Sequence, residues 1–475
     1  MTGTRRINRL DDFIRLPRRS IWVMALPMMA AFSTHAFYMV FDMIFIGQLG
    51  HTALAAAQFV GALFFGVIAL NIGFSTGVTA VISRAVGERD RLLAKQYAGN
   101  AMGLGLLLGI CIAGLGYLTA PTVIPLLGAT GETTQYALQY FEILCIGMLF
   151  MFVSGAIRSV LTGEGDAKTP MAVVTISTLV NLVLDPILMF CLDFGIRGAA
   201  MATVASQLFT LLSFCYIAFI KRRSYIPFRW SLDSLKPRSH LIAPIFKIGL
   251  PAAMVQLVMS VGAMAYNRII AEFGQAAVAG YGAGSKVDMI VALPIMALAS
   301  AALSIVGMFA GAKRYDLVRK VILYTFRSSL MITVAFCAAA FFASSHIIRL
   351  FTDDPVALET GRVYLRYMVL SYPMMAIGVT SGRILQGLGQ GIPPLIIAAM
   401  RVLLIGVPVS FVSVVYYNAS IDVIWISIIG GGVVSNVLAL YWIRHFGWKV
   451  LGKSDISSKG PPISAKPNLD SIPPQ

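Results

Sequence analysis

Apolar runs of about 20 or more residues recur along the chain, and each can cross a hydrocarbon core of about 30 Å as a helix that closes its own backbone hydrogen bonds. Twelve such spans are predicted, at 20–44, 52–83, 93–119, 133–161, 167–191, 196–220, 241–272, 276–307, 313–342, 354–385, 391–417 and 421–446. The polar stretch KRRSYIPFRWSLDSLKPRSH at 221–240 divides them into two sets of six. Residues 1–19 read as a basic, partly amphipathic lead on the membrane surface. The Ser- and Pro-rich residues 447–475 read as a disordered tail. The pattern predicts an all-α integral membrane protein with an N-lobe at 20–220, a linker at 221–240 and a C-lobe at 241–446.

The two sets are related. Shifting the sequence by a constant 224 positions lays Pro27 on Pro251, Gly50 on Gly274 and Gly87 on Gly311, and lays LTGEGDAKTP at 161–170 on LQGLGQGIPP at 385–394. Because each set holds an even number of spans, the repeats are parallel, and a pseudo-twofold along the membrane normal relates two six-helix lobes. Alternating-access transporters are built this way, with the cavity between the repeats.

Composition agrees with this placement: 58% hydrophobic and 12% charged residues with a mean hydropathy of +0.80 are too apolar for a soluble fold. The net charge of +16 is a topology signal and not a nucleic-acid footprint, since about 30 of the Lys and Arg residues fall on one side of the membrane, the positive-inside pattern. Both termini are therefore expected in the cytoplasm. Without a signal-peptide pattern, the N-terminus is expected to be retained. Cys111, Cys145, Cys191, Cys215 and Cys337 lie singly in apolar spans and read as small buried hydrophobes.

The exceptions to apolarity carry the chemistry. The first span holds His35, Tyr38, Met39 and Asp42 at helical spacing along one face, and an acid at such depth, unfavourable by about 2.5–3.5 kcal/mol, is expected to face a cavity, ion path or proton relay. Span five carries Asn181 and Asp185 four residues apart, followed by Pro186, and span six brings Thr203 to a similar depth. Four oxygen-bearing side chains at one level suit a hard cation such as Na⁺, or a carboxyl pair that holds a proton. The spacing alone also fits a helix-capping Asp42 and an Asp185–Pro186 turn. In the second lobe the shift puts Tyr266 in the place of Asp42 and Val409 in that of Asp185, which confines coupling chemistry to the first lobe. Lys286 and Asp288 in span eight and Arg401 in span eleven are expected to form a structural ion pair or, for Lys286, to reach backbone carbonyls, with a substrate contact as the other reading. His35 reads first as a packed or hydrogen-bonded side chain. Glu142 is a weaker candidate near the outer interface. The many Met and Phe residues suit a pliable apolar cavity, with Met28, Met39, Met254 and Tyr266 flanking the paired Leu-Pro spans.

With ALP at 25–27, Asp42, IGQLG at 46–50, RAVGERD at 84–90, RSVLTGEGDAKTP at 158–170 and NLVLDPIL with GIRGAAMAT at 181–203, the chain resembles the multidrug and toxic compound extrusion (MATE) transporters from about residue 18 to 446, in particular their prokaryotic DinF-like branch. The resemblance implies that Asp42, Asn181, Asp185 and Thr203 form the N-lobe cation or proton site, and that Pro27 bends the first helix. Span seven offers Gln256 and span ten Tyr367 and Tyr372, where the NorM-like branch has acids, so a second-lobe cation site is not expected. The implied activity is export of organic, often cationic or amphipathic, compounds against entry of H⁺ or Na⁺. The protein would be a multi-pass monomer of a bacterial or archaeal cell membrane, in contact with lipid, with no cofactor beyond the coupling ion. A lipid-linked precursor flippase of a related superfamily is the alternative, kept open by Lys286 and Arg401. An integral membrane enzyme would need a nucleophile–base set, a metal cluster or a P-loop, and none is spelled in the sequence.

Overall fold

The computed structural model describes residues 9–221, 224–226, 238–349 and 354–451. The start of the basic lead, much of the linker and nearly all of the tail lie outside them. A short helix α1 (Arg9–Arg15) leads into α2 (Pro17–Gln48), α3 (His51–Gly87), α4 (Arg91–Leu126), α5 (Gly131–Gly163), α6 (Lys168–Pro186) and α7 (Gly195–Cys215). The second set is α8 (Ser239–Ile270), α9 (Gln275–Gly311), α10 (Tyr315–Arg349), α11 (Pro355–Gly387), α12 (Ile392–Ala399) with α13 (Val407–Tyr417), and α14 (Asp422–Leu451). Twelve spans long and apolar enough to cross a membrane result, arranged as two six-helix lobes. Pro186 lacks the N–H that would continue the α-helical ladder, and α6 runs on into a π turn at Ile187–Cys191. A second π stretch at Met400–Gly406 joins α12 to α13.

The repeat is visible in the backbone itself. Left-handed residues recur at the same shift: Gly50 (φ 105°) and Gly274 (φ 98°), Arg89 (φ 58°) and Lys313 (φ 57°), Gly165 (φ 88°) and Gly389 (φ 83°). Gly50 and Gly274 open α3 and α9 in a conformation that a side chain would strain. Contacts between the lobes obey the same symmetry. A Cβ on Gly87 would press on the Met308 carbonyl, and one on Gly311 would press on that of Arg84, so the pseudo-twofold passes between the ends of α3 and α9.

The close approaches between the lobes that glycines mark lie in the half of the bundle near α1. A Cβ on Gly73 would stand 2.6 Å from that of Ala253 on α8, and one on Gly77 would stand 3.1 Å from the Ile245 carbonyl carbon. Gly61 and Gly66 on α3 and Gly282 on α9, in the far half, look instead onto open space. The lobes are therefore sealed near α1 and parted on the far side. A Gly77→Val substitution places a branched side chain where backbone already stands, and is expected to destabilise this conformation by about 1–3 kcal/mol. Distances between spin labels across the seam should lengthen while the fold within each lobe persists.

The lead does more than lie on a surface. Phe13 is buried against Gly165, and Arg9 Nη1 lies 3.0 Å from both the Gly165 carbonyl and Asp166 Oδ1. In the same turn Glu164 accepts hydrogen bonds from Ser224 Oγ (2.5 Å), Tyr225 N (3.0 Å) and Ile226 N (2.9 Å), which pins the start of the linker to the first lobe. Burial pushes the Glu164 carboxyl up to about 7, against those three donors. An acid raised on folding contributes stability that is full below its unfolded value near 4.5 and is lost as pH rises through 7. The stability of Glu164→Gln relative to wild type should accordingly increase between pH 5 and pH 8, as read by thermal unfolding.

Candidate functional site

Two carboxylates meet inside the first lobe. Asp185 is 0% exposed and its Oδ1 accepts a 3.1 Å hydrogen bond from Asn181 Nδ2, one turn earlier on α6. Asp42, on α2, interacts electrostatically with it. The phenol of Tyr38 stands between Asp42 and the Thr203 hydroxyl on α7, and its ring stacks on His35 with centroids 5.9 Å apart. The four residues expected to form one site are thus brought together, and Tyr38 joins them. Asp42 Oδ1 and Asp185 Oδ2 are both buried without a hydrogen-bond partner. An unpaired buried carboxylate is costly, and a proton or a cation is the kind of partner that would offset that cost. The oxygens of Asp42, Asp185, Asn181, Thr203 and Tyr38 supply the hard donor set that Na⁺ prefers. Among the described residues no group of three or more His, Cys, Asp or Glu is placed to hold a metal ion.

Tyr140, on α5, is buried and interacts with both acids. No helical spacing points to it, because α5 reads as ordinary apolar span and the contact depends on how α5 packs within the lobe. Pro27 lies inside α2, which continues on both sides of it, and the missing N–H leaves the carbonyl one turn earlier without its helical partner. Of the side chains expected along the cavity, His35, Met39 and Met254 are exposed and Gln256 is partly so. Met28 is 2% and Tyr266 8% exposed, Met28 in a core shared by both lobes and Tyr266 in a core of the second lobe, and a ligand does not reach them in this conformation.

The expected Asp288–Arg401 ion pair does not form. Tyr364 and Tyr372 of α11 both donate to Asp288 on α9, Tyr372 at 2.8 Å, and Trp425 packs on Tyr364 with ring centroids 4.8 Å apart. Phenols two turns apart on the neighbouring helix reach both carboxylate oxygens, which leaves Arg401 only a longer-range attraction to the acid. Lys286, two residues from Asp288 on α9, is exposed, because such spacing turns it away from Asp288. Two further arginines went unremarked as site residues. Arg158 on α5 and Arg383 on α11 are partly exposed within the span region, and no described acid pairs with either.

A sequence model of the MatE family matches residues 27–187 and again 251–412, so its two copies begin at Pro27 and Pro251. The chain belongs to the MatE family. It is therefore a multi-pass membrane transporter and not an enzyme. This MatE chain is 25% identical to a probable multidrug resistance protein NorM of Thermotoga maritima, over 91% of its own length and 93% of the relative's. It is 26% identical to a FAD transporter of Shewanella oneidensis, over 82% and 86% respectively. A solved outward-facing multidrug resistance MATE transporter of the MOP superfamily superposes with a TM-score of 0.86 at 28% identity, covering 91% of this chain and 96% of that one.

Proposed function

We propose that this MatE transporter exports small organic compounds by alternating access, driven by entry of H⁺ or Na⁺ at Asp42, Asn181, Asp185 and Thr203. The observation that carries the coupling is the pair of buried, unpartnered carboxylate oxygens on Asp42 and Asp185. The seam near α1 closes one side while the far side is parted, and the positive-inside charge pattern makes the closed side cytoplasmic. The chain then stands open to the outside, with both termini in the cytoplasm, and works as a monomer. A cation arriving from outside offsets one of the pair's two negative charges, relieves the repulsion between α2 and α6, and allows α2 to shift about Pro27 as the cleft closes. Dye movement in liposomes under an imposed pH or Na⁺ gradient tests this, and dye that ignores both gradients would refute it.

Pro27→Ala restores the α-helical ladder of α2 and removes the point of flexure. Turnover is expected to fall roughly tenfold if this motion limits the cycle, with binding of the coupling ion unchanged. Equal rates in wild type and variant liposomes would place the hinge elsewhere.

A further inference from the structure

We infer that Arg158 and Arg383 form an anion-binding floor to the central cleft, so that the exported compounds carry a carboxylate, phosphate or sulfonate on an apolar body. The inference rests on the cleft being the transport route. It starts from charges left without partners. The Arg158 guanidinium makes no hydrogen bond or ion pair with any described residue, and it lies near enough to His35, on the cleft-facing α2, to interact with it. Arg383 Nη1 donates to Thr76 Oγ1 at 2.8 Å and to Gln386 Oε1 at 3.3 Å. Both of those acceptors are neutral.

The two cations come to one level from opposite lobes. Asn71 Nδ2 donates to the Met151 carbonyl and Thr79 Oγ1 to that of Ser159, which sets α3 and α5 side by side with matching direction. Arg158 is therefore level with residue 78, within one helical turn of the Thr76 that Arg383 holds. Gly77, between these positions, belongs to the closed seam. Gly73, one turn nearer the open side, approaches Ala253 in the same seam, so a ligand descending the cleft reaches both guanidiniums at the depth of the seal.

A guanidinium enclosed by protein without a counter-charge is unfavourable, and its fork of donors matches carboxylate and phosphate oxygens. Asp42 and Asp185 do not supply that charge, since they interact with each other, Asn181, Tyr38 and Tyr140. The coupling cation and the substrate anion thus have separate seats. Arg383 also crosses from the second lobe to the first at Thr76, so an anion that takes over its donors loosens a contact between the lobes in this conformation. Substrate binding acquires a direct hold on the seam.

The test uses the purified full chain in detergent and in liposomes, with fluorescein as the anionic probe and ethidium as the cationic one. Fluorescence polarisation is expected to show fluorescein binding that Arg158→Gln and Arg383→Gln each weaken at least about tenfold, the scale of one lost charge-assisted pair. Arg→Lys variants should retain part of that affinity, and ethidium should be indifferent to all four. A naphthalene sulfonate should displace fluorescein from the unmodified protein where the matching naphthyl ammonium does not, a result that needs no variant to fold. Failure of the sulfonate to compete, or equal loss of both dyes in variants that melt like wild type, overturns the anion floor. Arginine-dependent fluorescein binding without gradient-driven movement upholds the floor but removes the export reading. Gradient-driven ethidium export, with fluorescein binding unaffected by both Gln substitutions, does the reverse.

Discussion

Asp42→Asn is expected to abolish gradient-driven export while expression and thermal stability stay near wild type. The amide is isosteric and permanently neutral, so it resembles the occupied state of the site and removes the charge that occupation would discharge. Asp42 Oδ1 has no hydrogen-bond partner to lose, which is why stability should be spared. A hydrogen bond to a charged group contributes about 1.5–3 kcal/mol, and loss of that much weakens cation affinity about ten- to a hundredfold. Facilitated, gradient-independent movement of substrate should persist, because the seam and the arginines are untouched. The measurement is counterflow beside gradient-driven uptake in the same liposomes. If uptake follows the gradient as well in Asp42→Asn as in wild type, coupling does not run through Asp42.

Much of the architecture was legible because it rests on periodicity that packing does not override. Runs long enough to cross a membrane, and a shift that lays Pro27 on Pro251, placed twelve helices and two lobes. The shift even located the left-handed pairs such as Gly165 and Gly389, since both copies need the same turn between the same two helices. Asn181 and Asp185 were readable as a pair because four residues on one helix fix their geometry. Contacts between helices were less accessible. Asp288 has an equally plausible partner in a distant arginine until one knows that α11 presents Tyr364 and Tyr372 to it. Tyr140 approaches the acids from α5 with no helical spacing to announce it. Met28 and Tyr266 flank the paired Leu-Pro spans, but the two faces of a membrane helix are both apolar, so hydropathy alone does not say which one turns into the core. The α1 segment read as a surface anchor because its charge pattern is amphipathic, whereas Arg9 and Phe13 have specific seats against the turn at Gly165 and Asp166.

The lobes should differ in ion dependence, and the repeat supplies the reason. Asp42 and Asp185 have Tyr266 and Val409 at the matching positions of the second lobe, both unable to hold a cation as a carboxylate pair does. Asp288, the second-lobe acid inside span eight, already accepts two phenol hydrogen bonds, and nothing about it awaits an ion. Replacing both first-lobe acids by Asn should therefore eliminate proton release on substrate binding and any Na⁺ binding by the purified protein, with melting temperature little changed. Asp288→Asn should do the opposite. It exchanges a charged acceptor of two phenols for a neutral one, and hydrogen bonds to charged groups are worth about 1.5–3 kcal/mol each, so part of that stability is lost from α9 and α11 while ion binding persists. Asp288→Leu should destabilise further, because both phenols are then left buried without an acceptor. Calorimetric ion binding and thermal unfolding on the same three preparations separate the cases. Ion binding that survives in Asp42→Asn/Asp185→Asn and disappears in a stably folded Asp288→Asn would move the coupling chemistry to the second lobe, with Tyr364 and Tyr372 as its remaining ligands.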